Sequence, residues 1–243
     1  RDLEALPQLL DGCDLVYHTA CTAYEGLSVF SPSLIVENTL QISVNLMTAA
    51  IKAGVKRFVH CSSMARYGTQ DRIPFTEDMV CKPQDPYGIA KFASEQILQN
   101  LAQVHGVELV IAVPHNIIGP RQKYDDPFRN VASIMINLLL QGRDPVIYGD
   151  GEQLRCFSDV EDDIGCLVKM ATDERVVGEI FNIGPDEDPV TINQLSKRIG
   201  RLMNKEIKPV YMPGRPQEVK LAVCASDKIR KYFNYQTTVT LDE

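Results

Sequence analysis

None of the seven cysteines falls in a C-x-x-C pair or any other metal-ligand spacing, so no metal site is expected. Scattered thiols of this kind read as reduced and buried, as in a cytosolic protein. No apolar run reads as long enough to span a membrane, and no signal-peptide pattern, internal repeat or low-complexity tract is present. Positive charge is in deficit, with 25 Lys and Arg against 32 Asp and Glu and a net charge of -7. That argues against a general nucleic-acid or anionic-membrane surface, while leaving room for a local anion pocket. Also missing is any G-x-G-x-x-G or G-x-x-G-x-x-G, the glycine pattern of a turn that cradles a pyrophosphate.

What is present is an ordinary globular composition, 44% hydrophobic and 23% charged over 243 residues, enough for one or two domains with a sizeable core. Leu3 to Leu10 reads as an amphipathic helix, and Asp14 to Ala20 as a buried strand. A helix is expected from about Pro32 to Ala53, stopped by Gly54. Next come a strand from Val55 to Cys61, a helix from Pro86 to His105 ended by Gly106, and a strand from Val107 to Val113. On that second helix Ile89, Phe92, Ile97, Leu101 and Val104 fall near one stripe, read as its core-facing surface. Strands this apolar, alternating with helices, predict a parallel sheet covered on both faces. Ligands of such sheets bind at the carboxyl ends of the strands, so Ala20-Cys21, Ser62-Ser63 and Pro114-His115-Asn116 should line one crevice.

The second helix carries the chemistry. Asp85 as N-cap with Pro86 in the first turn is a strong start signal. Tyr87 and Lys91, a Y-x-x-x-K, then share one face a turn apart. A phenol of ordinary pKa ~10 is a poor base at neutral pH, but a neighbouring ammonium and the positive end of a helix both favour its phenolate. A serine at the tip of the preceding strand could bond the same substrate oxygen. An isolated pair of this kind is more often a packed aromatic and a solvated charge. The helix start, the Ser-Ser strand end and the alternating β/α pattern are what raise this one above that reading.

The series Leu15-Val16-Tyr17-His18-Thr19-Ala20, Gly54 to Val59, Ser62 to Gly68, Pro86 to Lys91, His115 to Gln122, Ile147 to Gln153, Phe181 to Gly184 and Pro213 to Pro216 resembles, in order, the extended short-chain dehydrogenase/reductase family. Within it the chain is similar to nucleotide-sugar epimerases of the UDP-glucose 4-epimerase type. The resemblance implies an α/β fold: a Rossmann-like doubly wound parallel sheet with a smaller α/β substrate lobe. Residues 1–118 would form the dinucleotide-binding domain and 119–243 mainly the nucleotide-sugar lobe, with about 157–184 returning to the Rossmann core. By the same resemblance roughly two βα units, on the order of 60 residues, would precede Arg1 and carry the missing glycine turn. The C-terminus also stops earlier than the family's, so a piece of a longer protein is expected.

The implied cofactor is NAD, and the implied catalytic set is Ser63, Tyr87 and Lys91. Ala20, Cys21, Asn38, Ser62 and Pro114 would join Tyr87 and Lys91 in holding the cofactor. Substrate contacts carried over are Ser63, Asn116, Asn130, Val131, Val146, Tyr148, Arg155 and Arg215, the last helped by Glu218. A guanidinium fork suits a diphosphate. The implied reaction inverts C4 of a UDP-hexose or UDP-N-acetylhexosamine through a 4-keto sugar. The alternatives are another NDP-sugar dehydratase, decarboxylase or reductase, or a non-catalytic nucleotide-binding protein of the same fold. Relatives of the dehydratase and decarboxylase kinds place carboxylates just after the strand-end Ser/Thr; Met64 and Ala65 stand there and cannot transfer protons. Glu77 and Asp78 read as solvated loop charges, and a small Ala222 would admit an N-acetyl group. Three departures stand out. Val113 replaces an Arg, Ala225 an Asp, and the run from Asn38 to Gly54 is one residue longer than expected. His115 reads as structural. Neither nucleic acid nor a membrane is expected as partner; a homodimer through a four-helix bundle of the two long helices is.

Overall fold

The computed structural model describes residues 4–128 and 130–243; Leu3 and Arg129, which fall within segments read above, lie outside them. In chain order the first half runs α1 (Leu6–Leu9), β1 (Leu15–His18), α2 (Glu25–Ser28), α3 (Pro32–Val36), α4 (Ile42–Ala53), β2 (Arg57–Cys61), α5 (Pro86–His105) and β3 (Glu108–Pro114). The second half runs β4 (Ile117–Ile118), α6 (Val131–Leu140), β5 (Val146–Tyr148), β6 (Leu154–Arg155), β7 (Ser158–Asp159), α7 (Val160–Met170), β8 (Ile180–Ile183), β9 (Val190–Thr191), α8 (Ile192–Leu202), β10 (Val210–Met212), β11 (Leu221–Ala222) and α9 (Asp227–Phe233).

The main sheet has the order β1-β2-β3-β8 and is parallel throughout. Alternation along each strand divides its side chains between two cores. Phe58, Leu109, Ile111 and Val113 pack with Met47, Ala50 and Leu98 on the α4/α5 side. Val59, Val110 and Ala112 pack with Met170 of α7 and Ile229 and Phe233 of α9 on the other. A third core, with Met135, Leu139, Ile147, Leu195 and Ile199, joins α6, α8 and β5 in the second half. There the short strands pair as β5 with β10, β6 with β11 and β9, and β4 with β7.

Between α3 and α4 the backbone makes one π turn, Glu37–Gln41, so Pro32 to Ala53 is one helix with an inserted residue. A π turn takes up a single extra residue. That accounts for the longer run from Asn38 to Gly54. This helix, 22 residues in all, is long and apolar enough by length and composition to cross a membrane, which corrects the sequence reading on that point. In the fold its Met47 and Ala50 pack into the sheet core, and its neighbour is α5.

Helix α5 has the expected bounds, but its buried face is not the predicted one. Ala90, Lys91, Ser94, Glu95, Leu98 and Ala102 face inward, while Ile89, Ile97 and Val104 are 51%, 38% and 67% exposed. The inward face is narrow because the helix lies close to its neighbours, and small residues with one buried ion pair fill it. Arg66 and Glu95 approach to 3.1 Å there, with the guanidinium between the Tyr67 and Phe92 rings. Glu77 also differs from its reading: its carboxylate accepts the Asn182 N–H at 2.9 Å, and burial raises its pKa.

Candidate active site

The carboxyl ends of β1, β2 and β3 open into a cleft of about 800 Å³, closed on its other side by α6, β5, β6 and the Arg215–Glu218 segment. The Asp85 carboxylate accepts the N–H groups of Tyr87 and Gly88 at 2.9 and 3.1 Å and so fixes the start of α5. Gly88 lets that first turn touch the turn after β2. A Cβ there would stand 2.7 Å from the Ala65 carbonyl oxygen. Ser63 caps the same turn, accepting the Ala65 N–H at 3.2 Å.

This closeness brings the sequence-predicted trio together. Tyr87, Ser63 and Cys21 line the same part of the cleft, with the Ser63 and Cys21 side chains close enough to the phenol to act on its titration. One turn on, Lys91 is buried and donates from Nζ to the Cys61 carbonyl at 2.8 Å. Burial raises the Tyr87 pKa well above its ordinary value, with nearby Cys21 and Glu25 adding to the rise and the Ser63 hydroxyl opposing it. The expected drift toward phenolate is therefore corrected: desolvation wins, and Tyr87 rests as a phenol.

Cys21, Ser62, Ser63, Tyr87, Lys91 and Pro114 all line the cleft, as do Asn116, Asn130, Val131, Val146, Tyr148, Arg155, Arg215 and Glu218. Two predicted residues do not. Ala20 is exposed and lies between Thr19 and Cys21, which face the cleft as alternation in extended backbone requires. Asn38 is half-buried in the π turn, whose extra residue breaks the assumed register. Ser62 lines the wall, but its hydroxyl is bonded to the buried Glu95. His115 is fully buried against Gly184, outside the cleft, and burial lowers its pKa to about 4.

At the far end of the cleft Asn116 Nδ2 donates to the Cys156 carbonyl at 2.8 Å, and the Asn130 side chain caps α6 by accepting the Ala132 N–H at 3.0 Å. The Arg215 guanidinium lies over the Tyr148 ring, 4.2 Å from its centroid. Glu218 pairs with Arg155 at 3.7 Å and accepts from Gln153 Nε2 at 3.1 Å. It thus supports Arg155, and the expected pairing with Arg215 is corrected. Burial lowers the Arg155 pKa, opposed by Glu25 and Glu218. Ala222 is buried in the same wall.

Two acids in the cleft carried no sequence signal. Glu25 opens the one-turn helix α2, in a stretch without a motif. Asp163 of α7 lies buried, with Ser158 Oγ donating to it at 3.1 Å, and desolvation raises its pKa well above the usual carboxylate range. The arrangement as a whole offers a proton donor and acceptor at one end and a pair of guanidinium groups at the other.

The comparisons agree with this geometry. The profile of the NAD dependent epimerase/dehydratase family matches residues 1–184. The UDP-N-acetyl-alpha-D-glucosaminuronate decarboxylase of Bacillus cytotoxicus is 32% identical over 87% of this chain and 66% of its own length. The UDP-glucose 4-epimerase of Mycolicibacterium smegmatis is 29% identical over 95% of this chain and 73% of its own. The crystal structure of the Thermotoga maritima UDP-glucose 4-epimerase with UDP-glucose superposes with a TM-score of 0.93 at 29% identity, covering 100% of this chain and 78% of that one. The chain thus spans about two thirds to four fifths of the length of these proteins. It belongs to the NAD dependent epimerase/dehydratase family, whose cofactor is NAD and whose fold is the Rossmann-like parallel sheet seen here.

Proposed function

We propose that the protein, in its full-length form, epimerises C4 of a UDP-hexose or UDP-N-acetylhexosamine. The observation that carries this is the convergence of Ser63, Tyr87 and the buried Lys91 on one cleft at the strand ends. The nicotinamide end of NAD fits beside them: Cys21, Ser62, Lys91 and Pro114 form that wall. Bound there, NAD supplies a hydride acceptor and donor for the sugar carbon. With the positive charge of bound NAD⁺ added to that of Lys91, Tyr87 would give up its proton to solvent; the phenolate then takes the proton from the C4 hydroxyl as the carbon is oxidised and returns it when the carbon is reduced from the other face. Ser63 holds the same oxygen and moves the phenol pKa downward, against burial. Lys91, fixed by the Cys61 carbonyl, contributes a positive charge beside the reacting groups. Arg155, Arg215 and the start of α6 hold the diphosphate, so the sugar can turn while its nucleotide stays bound.

One observation supports epimerisation over the decarboxylation named for the 32% relative, and two more bear on the sugar and the assembly. Met64 and Ala65 line the cleft at the end of β2, where an acid would be needed. Ala222 leaves room for an acetamido group. The exposed apolar face of α5, beside Leu34 and Val36 of α3, suits pairing with a second copy in a four-helix bundle.

Tyr87→Phe in the full-length protein is the test. NMR should show UDP-glucose or UDP-N-acetylglucosamine converted to its C4 epimer by wild type, and a loss of roughly 100- to 10,000-fold in kcat for the variant, with binding retained. Unchanged turnover in the variant would refute the role of Tyr87.

A further inference from the structure

Glu25 stands between the two ends of the cleft, and the bonds around it hold it there. The Ser28 hydroxyl, fully buried, lies 2.7 Å from the Glu25 carbonyl oxygen and 3.1 Å from Asp85 Oδ1. Asp85 in turn accepts the Tyr87 N–H at 2.9 Å, so the backbone of Glu25 is tied to that of Tyr87 through two side chains. On its other side, Gly26 lies against Arg215: a Cβ on Gly26 would be 3.2 Å from Arg215 Nη1. The Glu25 side chain is exposed to the cleft, and among the described residues it makes no hydrogen bond or ion pair within 4.0 Å. It lines the same cleft as Tyr87, Arg155 and Arg215; burial and Asp85 oppose its carboxylate form, which the two guanidinium charges favour.

A nucleotide sugar with its reacting carbon at Tyr87 and its diphosphate at Arg155 and Arg215 must lay its ring past this carboxylate. We infer that Glu25 selects the sugar: it accepts hydrogen bonds from ring hydroxyl, amino or acetamido groups, and it excludes sugars that carry a carboxylate of their own. This rests on the epimerase reading and narrows its substrate class to neutral and amino sugars. Because the sugar turns over during C4 inversion, both of its edges meet Glu25, so a C6 carboxylate is opposed in at least one of the two orientations. Two like charges in a partly desolvated cleft repel far more than in water, and specificity of this kind comes from the clash as much as from the fit. The distinction matters because relatives include a UDP-glucuronate 4-epimerase from Thermodesulfobacterium geofontis.

The test compares kcat/KM for UDP-glucose, UDP-N-acetylglucosamine and UDP-glucuronate in full-length wild type, Glu25→Gln and Glu25→Ala. Wild type should favour the two neutral sugars over UDP-glucuronate by roughly 100-fold, and each variant should cut that preference by about tenfold, chiefly through a lower KM for the uronate. The wild-type preference is itself decisive and needs no variant to fold. Equal or better use of UDP-glucuronate by wild type overturns the inference, as does an unchanged ratio in folded variants. In either case, turnover that Tyr87→Phe abolishes leaves the epimerase reading intact. If wild type neither binds nor converts any of the three sugars, the epimerase reading falls and takes this inference with it.

Discussion

At the level of single residues, burial outweighs local charge throughout the neighbourhood of Tyr87. His18 shows the effect with the clearest sign. It is buried beside β2, its Nε2 lies 2.8 Å from Ser43 Oγ, and desolvation with the nearby Lys91 charge lowers its pKa from 6.5 to about 4. A base whose folded pKa is lowered binds its proton more readily when unfolded. Its contribution to stability is therefore full above pH 6.5 and falls as pH drops toward 4. A shift of that size corresponds to roughly 3 kcal/mol. Gln places an amide near the Nε2 position but does not titrate. Urea unfolding from pH 7.5 to 4.5 should show wild type losing stability relative to His18→Gln below pH 6.5; parallel curves would show that His18 titrates normally. The convergence of Ser63, Tyr87 and Lys91 was readable because a four-residue spacing and a strand end are local features. Glu25 was not. It is placed by Ser28 meeting Asp85 across 57 residues, a contact that no local pattern announces.

At the level of elements, boundaries were more legible than faces. Asp85-Pro86 and Gly106 delimit α5 as expected because capping is local chemistry. Which side of α5 turns inward depends instead on how closely the strand-end turn approaches, and that favours Gly88, Ala90, Ser94 and Ala102 over the bulkier stripe. The displaced stripe, Ile89, Ile97 and Val104, is then left on the surface beside Leu34 and Val36. An apolar face of this kind on two adjacent long helices is what a two-fold bundle would cover. Ile97→Glu combined with Val104→Glu should convert the full-length protein from the mass of two chains to that of one by light scattering, with its circular dichroism unchanged. A wild-type protein that already has the mass of one chain would rule the bundle out. The π turn in the neighbouring helix shows a related limit: the sequence revealed one residue too many, and only the backbone shows where it is absorbed.

At the level of the whole molecule, the cleft joins parts that share little other core. Its walls come from the strand ends of the main sheet on one side and from α6, β5, β6 and the Arg215–Glu218 segment on the other. The side chains proposed to hold a diphosphate, Arg155 and Arg215, both belong to the later half, whereas Tyr87 and Lys91 belong to the earlier one. A ligand that spans the cleft should therefore stabilise the fold as a unit, and the gain follows from mass action: about 2.7 kcal/mol when free ligand is 100 times its Kd. On the proposed binding mode UDP alone would reach only the guanidinium end, which makes it the cleaner probe there. Arg215 is exposed and stacked on Tyr148, so Arg215→Ala should leave the unliganded melting temperature almost unchanged. It should nevertheless reduce the UDP-induced gain by about 1.5–3 kcal/mol at fixed UDP, the usual worth of a hydrogen bond to a charged group. Thermal unfolding of the full-length wild type and variant, with and without UDP, measures both quantities. If UDP leaves the wild-type melting temperature where it was, or raises that of Arg215→Ala equally, the diphosphate is held elsewhere and the orientation assigned to the sugar in this cleft must be reversed.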